Sequence, residues 1–177
     1  MTISIGKGAT LNLLTIILSG CVSGPTQVET PATLSPVAIG DCRSSIPNVE
    51  VSPHAHFIST DTGYQNAAGT IFTNLPVGGK VILDQEFVRQ DGSLGPISLF
   101  WYLEGVFGQL VVEGQRLDSP SPELKAEFDN SSRTREGPTG PQWSRATFPS
   151  EGCWEITGST DDTSLTFVML VIVKSSE

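Results

Sequence analysis

Positive charge and histidine are scarce in this chain. Ten lysines and arginines stand against 19 aspartates and glutamates, a formal net charge of −9. Binding the phosphate backbone requires a positive field, so no nucleic-acid partner is expected. The only histidines, His54 and His56, share one short segment. A serine nucleophile needs a base beside it, and no GxSxG elbow is present. No glycine-rich loop opens a helix to cradle phosphate. The carboxylate pairs Asp84/Glu86 and Asp161/Asp162 fall on an exposed alternating face and in a turn. The chain therefore reads as non-catalytic, with no cofactor. Long apolar runs are missing as well. Ala9 to Leu18 (ATLNLLTIIL) is too short to span a bilayer, for which about 20 residues are needed, but it suits the core of a signal peptide.

Turn formers are plentiful instead, with 18 glycines and 12 prolines, and only 16% of residues are charged. Short runs of β-branched and aromatic residues alternate with turn clusters, and no long helical period follows the signal peptide. The expected fold is all-β: an immunoglobulin-like β-sandwich preceded by a signal peptide (1–20) and a disordered tether (21–39), with one domain over 40–177.

The C-terminal stretch organises the rest. Gly152 to Gly158 (GCWEITG) and Ser164 to Val173 (SLTFVMLVIV) read as two strands joined by the turn cluster STDDT. The second is apolar on both faces, so burial on both sides is expected. Along the first, Trp154 and Ile156 point one way, and Cys153, Glu155 and Thr157 the other. Upstream, Lys80 to Arg89 alternates as a half-buried strand, and QDGS (Gln90 to Ser93) is a strong turn that Gly95-Pro96 extends. Ile97 to Glu104 (ISLFWYLE) puts Ile97, Leu99, Trp101 and Leu103 on one face. A mid-chain tryptophan of this kind fills the core of immunoglobulin-like sandwiches. Gln109 to Leu117 is a further strand. Glu123 to Phe128 (ELKAEF) leans to strand, Thr70 to Leu75 is a short one, and Asp61 to Thr70 is loop.

Four candidate sites follow from residue chemistry. Phe100 and Tyr102 lie opposite the core face of their strand, where outward aromatics form a possible binding face unless a loop covers them. Arg133 and Arg135 form a possible basic loop in an acidic chain, suited to an acidic ligand. His54 and His56 share one face of an extended segment and are weak candidates for metal ligands, lacking an evident third partner. The last site is at the amino end.

Leu18-Ser19-Gly20-Cys21, directly after the apolar core, resembles the lipobox of bacterial lipoproteins. That resemblance implies cleavage before Cys21 and lipidation of its sulfur and new amino group, more than one acyl chain being needed for stable anchoring. It implies attachment to the cell membrane or outer membrane through Cys21, with the domain extracytoplasmic. Val22 to Ala38 (VSGPTQVETPATLSPVA), without hydrophobic periodicity, would be the tether, spanning roughly 20–25 Å as a flexible chain. With Cys21 acylated, Cys42 and Cys153 are the remaining thiols, and outside the cytoplasm a disulfide between them is expected. It would fasten the start of the domain across the back of a sheet. From Gln109 onward, the runs through SPELKAE, FPSEGCWEITG and SLTFV resemble segments of secreted bacterial immunoglobulin-like proteins, which implies fold and location but no ligand.

The reading that follows is a lipid-anchored, non-catalytic envelope binding module whose partner is an envelope protein or a glycan. The alternatives are an envelope metal-handling protein using His54 and His56, or a structural accessory subunit of an envelope complex.

Overall fold

The computed structural model describes residues 39–50, 56–106, 108–128 and 139–175. The signal-peptide reading, nearly all of the tether, and Cys21, His54, Arg133 and Arg135 lie outside the described residues.

The described residues form a β-sandwich of nine strands: β1 (Gly63–Gln65), β2 (Ile71–Asn74), β3 (Lys80–Leu83), β4 (Leu94–Leu103), β5 (Val111–Arg116), β6 (Lys125–Phe128), β7 (Gly140–Phe148), β8 (Gly152–Ser159) and β9 (Ser164–Val173). One sheet has the order β1-β2-β4-β7-β6, the other β3-β9-β8-β5. Strands 2-4-7-6 facing 9-8-5 reproduce the ABED and GFC sheets of an immunoglobulin fold. β3 adds in parallel beside the last strand, Lys80 opposite Leu170. Among the described residues the only helical turns are 3-10 turns of three residues, and no helix is long and apolar enough to cross a membrane.

Period-2 alternation explains the core. Leu99, Trp101 and Leu103 of β4, Ala146 and Phe148 of β7, Trp154 and Ile156 of β8, and Leu165, Phe167, Met169 and Val171 of β9 meet in one buried cluster between the sheets. Trp101 lies against Phe167 with centroids 5.8 Å apart, and Phe148 meets Trp154 edge-on at 5.4 Å. Each buried indole N–H has an acceptor: Trp101 donates to Ser144 Oγ at 3.0 Å and Trp154 to the Ser150 carbonyl at 3.1 Å. The core tryptophan of β4 thus stands on the second strand of the immunoglobulin order, whereas antibody domains carry theirs on the third.

Three expectations need correction. The strand expected over Lys80 to Arg89 stops at Leu83 and becomes a 3-10 turn at Gln85–Phe87. Its partner β9 ends at Val173, and Lys174 N–H closes on the Leu83 carbonyl, so no further ladder is available. Conversely, β4 begins at Leu94, because Gly95 and Pro96 form a bulge within the strand and not only a turn before it. The stretch expected as loop, Asp61 to Thr70, contains β1, held on the edge of β2.

The lead-in to the domain wraps the open side of the sandwich. The disulfide joins Cys42 to Cys153. Cys153 is adjacent to core-facing Trp154, so the bond lies on the outer face of β8, beside its register partner Leu170. Cys153 and Leu170 are buried there, and Cys42 is half-buried. Ser45 then pairs with the part of β9 that β3 leaves uncovered, donating N–H to the Val168 carbonyl and accepting the Val168 N–H on its hydroxyl, each at 2.9 Å. Three residues on, the Asn48 side chain brackets Gln65 of β1 in the opposite sheet.

Candidate functional site

The outer face of the five-stranded sheet carries the aromatic candidates. With Trp101 and Leu99 turned inward, Phe100 and Tyr102 of β4 turn outward, beside Phe72 of β2. They do not form an open face. Val49 and Ile58 fold over Phe72 and Phe100 as a second buried cluster, and Phe100 retains only 7% exposure. The physical reason is composition: three adjacent outward aromatics are too much apolar surface to leave wet, and the segment preceding β1 supplies the apolar side chains that cover them.

The exposed aromatics are therefore other residues. Phe57 stacks over both Phe100 and Tyr102, with centroids 5.9 and 5.8 Å away, and remains 47% exposed. Trp143 of β7 lies opposite Phe100 in register, meets it edge-on at 4.8 Å, and is 46% exposed. Neither was marked as a site residue by the sequence reading. For Trp143 the signal was present: in Trp143-Ser-Arg-Ala-Thr-Phe148, Trp143 shares its face with Arg145 and Thr147, while Ser144, Ala146 and Phe148 take the core. A tryptophan in phase with polar neighbours points outward. Phe57 carries no such signal, because its exposure depends on how the covering segment lies.

Below Trp143 the same face becomes polar. Arg145 and Thr147 continue down β7, with Glu127 and Lys125 of β6 directly opposite them. This strip runs into a cleft of about 950 Å³ at one end of the sandwich, between the Arg89–Ser93 turn, the Pro120–Glu123 linker, β6 and the Thr147–Ser150 corner. Asp91 closes the turn there by accepting from the Ser93 N–H at 3.0 Å and the Ser93 hydroxyl at 2.6 Å, and these bonds hold its carboxyl below the usual carboxylate range.

Beside the disulfide is a part-buried ion pair, Asp118 within and Arg116 reaching the surface, that the sequence did not announce. Arg116 Nε donates to Asp118 Oδ1 at 2.8 Å, and Nη2 donates to Oδ2 at 2.9 Å. Asp118 Oδ1 also accepts the Cys153 N–H at 3.0 Å, and Arg116 Nη1 reaches Ser150 Oγ. The Arg116 hydrogen bonds hold the Asp118 carboxyl low, against the opposing effect of burial, and raise the guanidinium in turn. Closed over by Gly152, this bidentate pair is a fastening for the β5 and β8 ends.

His56 is exposed on the segment before Phe57. Among the described residues no group of three His, Cys, Asp or Glu side chains is placed to hold a metal ion. Comparison with family models, curated proteins and solved structures returns no match.

Proposed function

We propose that this protein is a lipid-anchored, non-catalytic binding module of a bacterial cell envelope, held outside the cytoplasm by acylated Cys21. One observation carries the binding part of that reading: two half-exposed aromatic rings, Phe57 and Trp143, pack against Phe100 and Tyr102 on one sheet face. A ring fixed by its neighbours loses little entropy when a ligand docks, which is why pre-organised aromatics dominate binding surfaces. The Cys42–Cys153 bond supports the compartment, since such bonds persist in oxidising surroundings.

The test is capture from envelope extracts by the full lipidated chain and by a Phe57→Ala/Trp143→Ala double variant. The wild type should retain an envelope component that the variant loses by about tenfold, the removal of two aromatic anchors costing at least 1.4 kcal/mol. Equal retention by a variant with an unchanged unfolding midpoint overturns the reading.

A further inference from the structure

We propose that the Trp143 strip and the cleft below it form one continuous site for a neutral, linear polysaccharide. This deepens the binding-module reading and rests on it.

Three observations point to that chemistry. The first is the ring at one end. The C–H face of a pyranose is apolar and weakly positive, and it stacks on the electron-rich face of an indole. Trp143 is the indole at the surface here, 46% exposed and packed edge-on with Phe100. The second is what lies beside the ring. Along β7 and β6 come Arg145 opposite Glu127 and then Thr147 opposite Lys125, four residues or roughly 13 Å below Trp143. Donors and acceptors alternate over that distance, as a string of hydroxyl groups requires. The strip then opens into the 950 Å³ cleft, within the usual size of ligand sites.

The third observation is the charge balance. Among the described residues, Arg89, Lys125 and Arg145 stand against Asp91, Glu123 and Glu127 along strip and cleft, so these side chains carry no net formal charge in a protein whose net charge is −9. A balanced track offers nothing to a polyanion. Away from Trp143 the strip has no further exposed aromatic ring among the described residues, only the paired polar side chains of β6 and β7. Hydroxyl-rich neutral chains are the ligands that use one stacking ring and many paired polar groups.

Affinity electrophoresis of the full chain tests this, in gels containing hydroxyethyl cellulose, glycol chitin, dextran or a soluble β-1,3-glucan, with alginate as the acidic control. Retardation is expected in at least one neutral gel, and it should persist between about 50 and 500 mM NaCl because no net charge is neutralised. Trp143→Ala should weaken it about tenfold, while Trp143→Phe should keep most of it. Lys125→Ala/Glu127→Ala, exposed and remote from the core, should weaken it severalfold without moving the unfolding midpoint. Retardation by alginate alone, or binding lost in salt, overturns the proposal. So does mobility unchanged in every neutral gel. If that occurs while envelope capture still depends on Phe57 and Trp143, the polysaccharide assignment fails and the binding-module reading stands. If capture fails too, both fall.

Discussion

At the scale of single residues, the tightest constraint is where Gly152 passes the Arg116–Asp118 pair. Its φ is +148°, outside the range that side chains adopt easily, and an added Cβ would fall on Arg116 Nε and 2.7 Å from Asp118 Oδ1. Gly152→Ala should therefore cost at least about 3 kcal/mol in urea unfolding, since it separates a part-buried ion pair as well as straining the backbone. Asp118→Asn should cost about 3 kcal/mol at pH 7. The pH dependence has a definite sign. The folded carboxyl is held below its ordinary value, so it stabilises the fold above about pH 4 and ceases to as acid protonates it below that. The gap between wild type and Asp118→Asn should narrow from pH 5 towards pH 2, measured by unfolding midpoints at each pH. Gly158 is constrained differently, because a Cβ there would lie 2.5 Å from the Trp101 ring. Gly158→Ala should overpack the core at a cost of about 1–3 kcal/mol. Neither glycine stands out in the sequence, where both read as strand boundaries. Their importance comes from side chains that reach them from β4 and β5.

At the scale of elements, alternation made most strands legible, and pairing partners decided the rest. The C-terminal hairpin matches its sequence pattern within a residue, because Trp154, Ile156, Phe167 and Met169 all take the core phase. The alternation of β3 continues past the point where β9 ends, so the strand is shorter than its pattern. β1 was invisible, as Gly63–Gln65 has no apolar repeat and is held by Asn48 and by β2. The turn before β2 was equally opaque. Asn66 Nδ2 donates to Thr163 Oγ1 at 2.8 Å, across 97 residues of sequence and from one sheet to the other. The outward phase of Phe100 and Tyr102 was legible, but their cover was not, since Val49 and Ile58 come from separate short apolar stretches with no strand period between them. The disulfide belongs to this scale too. Cys42→Ala/Cys153→Ala should lower stability by about 2–5 kcal/mol, the bond closing a loop of 111 residues. Because Ser45 keeps its two bonds to Val168, the variant should still fold.

At the scale of the whole molecule, the sandwich class and the face opposite the core could be read from the chain, whereas the site could not. A strip assembled from β6, β7 and the turn before β4 has no local signature, because its parts meet only through the sheet register. The anchoring proposed above makes a definite prediction: in a bacterial expression host, Cys21→Ser should move the chain from the membrane fraction to the soluble fraction and abolish fatty-acid labelling, and an unchanged distribution would remove the anchor from the proposal. The covalent link between Cys42 and Cys153 has a mechanical meaning for the anchored binding module proposed above. Tension arriving along the backbone at residue 42 passes through sulfur into β8, an inner strand flanked by β9 and β5, which must be sheared along its whole length to yield. Without that link the same pull would peel Ser45 from the margin of β9 one hydrogen bond at a time.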